Sequence, residues 1–72
     1  MTPEMVVTFS KAFAIALGGG MPALAIGLIG FSAMQSIGRN PEASDRVLTP
    51  MLIGMGLAEA IAIYALVIAL TL

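Results

Sequence analysis

A chain of 72 residues makes one domain at most. Hydrophobic residues are 60% of it and charged residues 10%, and so short a chain cannot bury that much apolar surface in a core of its own. A net charge of −1 with three basic residues leaves no phosphate-binding patch and no nucleic-acid partner, and the absence of cysteine and histidine removes thiolate sites, the commonest metal ligand and the commonest general base, which excludes a soluble enzyme.

The chain opens on a short mixed stretch, Met1 to Ser10, with Pro3, Glu4 and Phe9. It does not read as a signal peptide, because its first charge is acidic and the apolar run that follows is too long for an h-region. From Ala12 to Gly38 there is no charge, about 27 residues, which is long enough to cross a bilayer with some tilt. The glycines and Pro22 in this run would break a soluble helix, but neighbouring helices in a membrane cover the exposed backbone. At about 100° per residue, Ala12, Ala16, Gly19, Ala23, Gly27 and Gly30 form one small-residue stripe. Ala14, Gly18, Ala25, Ser32 and Ser36 form a second on nearly the opposite side, interrupted by Met21. Such stripes let helix backbones approach closely. They fit either packing within one hairpin or a neighbour on each flank, a heterologous contact that closes into a ring.

Arg39 to Arg46 is the one polar segment of any size. Pro41 disfavours helix at Asn40 and ends the first helix near there, while Ser44 or Asp45 is placed to cap the second, with Pro50 close to its first turn. The expected layout is one transmembrane hairpin: helix 1 over about 5–39, a polar loop over about 40–45 and helix 2 over about 46–72. Arg39 and Arg46 flank the loop against a lone Lys11 at the other end. The positive-inside rule then puts the loop in the cytoplasm and both termini outside.

The second apolar run, Val47 to Leu72, carries one charge, Glu59. About 18 Å of helix lies on one side of it and 20 Å on the other, so the carboxyl sits near the bilayer midplane. An acid there costs roughly 2.5–3.5 kcal/mol on insertion scales, and intramembrane ionisable groups are functional by default. Neither run offers a Lys, Arg or His as partner. Burial without a cation favours the neutral acid, and a group that is neutral in lipid and ionised only beside water or a foreign cation carries a proton. Gly54, Gly56, Ala58, Ala60 and Ala62 leave space around it, and Tyr64 follows about one and a half turns later.

Three features in register resemble the c-subunit, the proteolipid of the F-type ATP synthase membrane sector, over essentially the full length. They are the small-residue first helix with Gly19, Ala23, Ala25, Gly27 and Pro22; the loop Arg39-Asn40-Pro41-Glu42, where the family usually has Arg-Gln-Pro; and Ala58-Glu59-Ala60-Ile61-Ala62-Ile63-Tyr64. The resemblance implies an all-α membrane protein, a two-helix transmembrane antiparallel hairpin assembling into a closed homo-oligomeric ring with first helices inside. It implies a rotor component, non-catalytic by itself, in a bacterial plasma (inner) membrane, with Glu59 exchanging its proton at an interface with the a-subunit, whose essential arginine supplies the missing cation. It implies a central stalk of gamma and epsilon subunits docked on Arg39, Asn40, Pro41 and Glu42, ring packing through Gly19, Ala23, Ala25, Gly27 and Gly30, and Tyr64, Leu57 and Ala25 as neighbours of the proton site. Tyr64 either hydrogen-bonds the acid or simply packs.

Sodium-carrying members have a glutamine in the first helix and a hydroxyl after the acid, where this chain has Ile26 and Ala60. A hard cation needs several oxygen ligands, so the implied ion is H+ and no cofactor or metal is expected. Ala23, Ala25 and Met21 stand where glycines are frequent, and Asn40 where glutamine is usual. Two competing readings use the same residues: a small cation or drug exporter or pore-forming hairpin built on Glu59, and a purely structural hairpin such as a holin. The first lacks aromatic residues near Glu59 other than Tyr64, and the second leaves the cost of Glu59 unexplained.

Overall fold

The computed structural model describes all residues, Met1 to Leu72, as two long helices joined by a tight turn. α1 runs Pro3–Arg39 over 37 residues and α2 runs Ser44–Thr71 over 28, with a 3-10 turn at Pro41–Ala43 between them. α1 starts two residues ahead of the expected bound because Thr2, in extended backbone, caps it. The Thr2 hydroxyl accepts the Met5 N–H at 3.2 Å, and Pro3 at the first helical position loses only a donor that would have had no partner. Glu4 in the first turn and Arg39 in the last each suit the helix dipole.

Asn40 breaks α1 with φ −145° and ψ 85°, outside the helical region that a following proline disfavours. Its N–H still donates to the Ser36 carbonyl at 3.0 Å, and its carbonyl accepts from Ala43 at 2.9 Å. The turn feeds directly into α2. Ser44 is therefore already helical and neither it nor Asp45 caps the second helix; Ala43 holds the cap position with no side-chain bond. The 3-10 turn supplies backbone acceptors instead, the Ser44 N–H reaching the Pro41 carbonyl. Pro50 lies six residues after Ser44, about the end of the second turn of α2. It leaves the Arg46 carbonyl without its helical donor, as Pro22 does for Gly18 in α1.

The helices pack side by side into a flat strip of 58 × 16 × 7 Å. Both are long and apolar enough to cross a membrane, and the strip exceeds the roughly 40–45 Å of a whole bilayer. Only four residues are buried: Pro22, Ala33, Ala58 and Ala69. The fully covered seam is thus made of small residues and one ring, flanked by half-covered Ile29, Met51 and Met55, while most large side chains point outward, Leu57, Tyr64 and Phe31 each being more than half exposed. In lipid this is the stable arrangement, because apolar side chains gain nothing by hiding from hydrocarbon and close backbone packing decides which faces meet.

Candidate functional site

The register of the pair follows from the glycines. A methyl on Gly18 would collide with the Ala65 methyl, one on Gly54 would lie 3.3 Å from Ile29 Cδ1, and one on Gly30 would lie 2.8 Å from Met55 Cε. These contacts carry Glu59 to the level of Leu24–Ile26. On α2 the covered and half-covered positions Met51, Gly54, Ala58, Ala62, Ala65 and Ala69 mark the seam. Advancing about 100° per residue, Glu59 stands about 90° to one side of that line, with Leu52 and Leu66. Leu57, Ile61 and Tyr64 stand about 70–130° to the other side by the same count.

The same count on α1, from Pro22, Ile29 and Ala33, puts Gly19, Ala23, Gly27 and Gly30 about 70–150° round in the same rotational sense as Glu59. For two right-handed helices running antiparallel, equal senses lie on one side of the pair. The grooves along the strip agree. Thr8, Ala12 and Ile15 share one with Leu66 and Leu70, while Leu28 and Ser32 share another with Arg46 and Pro50. The strip therefore has a front, with Glu59 beside the open backbone of Ala23 and Gly27, and a back, with Leu57, Ile61 and Tyr64. Glu59 is exposed on the front, and a Cβ at Gly27 would meet nothing within 4 Å.

The two small-residue stripes thus have unequal fates. Ala14, Gly18 and Ala25 of the second stripe are half-covered on the seam side, where Gly18 is needed for the approach of Ala65, so this stripe serves the hairpin itself. Of the residues expected to pack copies together, Gly19, Ala25 and Gly30 are half-buried, Gly30 against Met55, whereas Ala23 and Gly27 remain open. Among the expected neighbours of the acid, Leu57 is 65% and Tyr64 71% exposed, both on the back. Tyr64 makes no bond to Glu59 of its own chain: the side-chain hydrogen bonds are those of Thr2, Thr8, Ser36 and Thr71. Arg39, Asn40, Pro41 and Glu42 are exposed at the turn end.

The buried positions Ala33, Ala58 and Ala69 and the Gly18–Ala65 contact are what reading the sequence missed as a seam. Their signal was present as small residues recurring at three and four along both helices, but the same signal marks contacts between chains.

A strip that spans the bilayer twice and holds one acid at mid-depth, with neither metal-ligand cluster nor basic partner beside it, is a membrane-embedded ion-handling hairpin. Residues 9–72 match the family described as the ATP synthase C-subunit. The chain belongs to that family. It is 40% identical to the ATP synthase c-subunit of Dehalococcoides mccartyi over all of its own length and 95% of the relative's. The corresponding protein of Chloroflexus aurantiacus is 50% identical over 60 residues, 83% of this chain and 79% of that one. That of Protochlamydia amoebophila is 45% identical over 62 residues, 86% of this chain and 63% of the relative. No solved structure matches. The chain is an integral membrane protein and a rotor component of the ATP synthase membrane sector, and the exporter reading has no support.

Proposed function

We propose that Glu59 is the proton carrier of this protein and that copies stack front to back into a closed ring. The observation that carries the reading is the placement of one exposed carboxyl at mid-membrane on the front, beside the uncovered backbone of Ala23 and Gly27. Stacking lays the Leu57, Ile61 and Tyr64 flank of the next copy over that acid. Protonated, it is then enclosed by apolar side chains and one phenol at small cost; ionised, it needs water or a cation that neither helix supplies. Long side chains on a helix lean toward its N-terminus. The Tyr64 hydroxyl of the adjacent copy leans toward the level of Glu59, which its own chain's geometry denies it.

The arginine of the a-subunit is the fitting cation, releasing the proton to an aqueous path and reloading the site from another. The ring so driven turns the central stalk, gamma and epsilon, through the exposed loop Arg39–Glu42. The hairpin performs no bond chemistry of its own and needs no cofactor, the cargo being H+. Ile26 and Ala60 offer no oxygen from their side chains, which disfavours sodium. The arginines at the turn favour a cytoplasmic loop with both termini outside, and the bacterial relatives favour a bacterial inner membrane.

The test is Glu59→Gln in the reconstituted membrane sector. Passive proton conduction and coupled ATP synthesis are expected to vanish while the native mass of the detergent-solubilised oligomer stays that of the wild-type ring. Coupled synthesis at the normal rate in that variant would end the reading.

A further inference from the structure

The first turn of α2 carries two adjacent opposite charges, Asp45 and Arg46, both exposed. Measured from the local seam positions Ser44, Val47 and Met51, Asp45 stands about 130° round on the Glu59 side and Arg46 about 130° round on the other. The groove that Arg46 lines together with Leu28, Ser32 and Pro50 independently fixes it to the back of the strip. Within the chain neither finds a partner, since no side-chain hydrogen bond involves them. Glu42, four residues before Arg46, belongs to the 3-10 turn rather than to α2 and makes no side-chain hydrogen bond with it.

Asp45 suits its place, because an anion in the first turn is favoured by the helix dipole. Arg46 does not: the same dipole disfavours a cation there, and no anion of its own chain compensates it. Glu59 places it about 20 Å from the midplane, at the headgroup level, where the dielectric is lower than in water and an ion pair is less screened.

We infer that Asp45 of each copy pairs with Arg46 of the next, giving the ring a belt of inter-copy ion pairs at its cytoplasmic rim. The inference rests on front-to-back stacking, and front and back are the sides on which these two residues lie. By the same count both start more than about 90° from the seam, Arg46 still bordering the groove it shares with α1, so they meet between neighbouring second helices toward the outer circumference. The contact is heterologous, each copy giving an acid on one side and a base on the other.

The experiment measures the wild-type ring and three variants, Asp45→Lys, Arg46→Glu and the two together, by native mass and by resistance of the purified oligomer to heating in detergent. Each single reversal is expected to lose the ring under heating that the wild type survives. The exchanged pair is expected to recover it, and the wild-type ring to weaken as salt rises. Singles as resistant as wild type, or an exchanged pair no better than the singles, would overturn the belt while leaving the ring standing. Weakening by Arg46→Glu alone, with Asp45→Lys unchanged, would assign Arg46 to a lipid phosphate and likewise overturn it. Absence of any discrete wild-type ring would overturn the stacking reading and this inference with it.

Discussion

Gly18→Ala probes the seam between the helices at its tightest point. The added methyl runs into the Ala65 methyl, and the Ala65 Cα lies 3.7 Å from the same position. Alanine has no rotamer to turn, so the backbones must separate. Overpacking of this sort costs about 1–3 kcal/mol, offset in part by the roughly 1 kcal/mol by which alanine outranks glycine in a helix. Gly27→Ala is the control, because its Cβ meets nothing within 4 Å in the hairpin and only the propensity gain remains. The two variants should therefore differ by about 1–3 kcal/mol, a factor of roughly 5–150 in the equilibrium between closed and parted helices. A fluorescent donor at Thr8 and acceptor at Leu70, which share a groove when the hairpin is closed, report that equilibrium as detergent is titrated. Combining Gly18→Ala with Ala65→Gly removes the collision and should show a favourable coupling of about the same 1–3 kcal/mol. If Gly18→Ala closes as readily as Gly27→Ala, the seam is not where the structure puts it.

A hydrophobic carbodiimide, which attacks the protonated acid, should label Glu59 but neither Glu4, Glu42 nor Asp45, and more slowly as pH rises; labelling indifferent to pH would contradict a titrating carrier. Tyr64→Phe should speed that labelling if the phenol of the adjacent copy holds the acid, and an unchanged rate would reduce Tyr64 to packing. Pro50→Ala restores a donor to the Arg46 carbonyl and should slow amide hydrogen exchange across residues 46–51, so unaltered exchange there would mean that the proline is not what loosens this turn. Thr2→Ala removes the cap on Met5 and should cost about 1 kcal/mol, confined to the first turn of α1 and visible as faster exchange at Met5 and Val6.

The hairpin is legible in the sequence because two long uncharged runs around a proline-containing polar segment leave few alternatives in lipid. Glu59 is legible for a related reason, as the one group whose presence there demands a use. The division of labour among small residues is not. Gly18, which meets Ala65, and Gly27, which meets nothing within its own chain, read alike along the sequence, since a helix shows periodicity but not which neighbour each face receives. The register of the pair resolves this, and the seam position on α2 sets Tyr64 and Glu59 on opposite sides of the strip. Ser44 and Asp45 have the residue type of caps, but the 3-10 turn already meets the backbone needs of that helix start. Cap chemistry read from sequence assumes a clean break before the helix, and here there is none.

A flat two-helix strip with unlike surfaces has a direction before it has a neighbour. Stacked front to back as proposed, such pieces all point their acids the same way round, so a single chain already carries a handedness. That handedness comes from the angular offset of one carboxyl from the line where two helices touch.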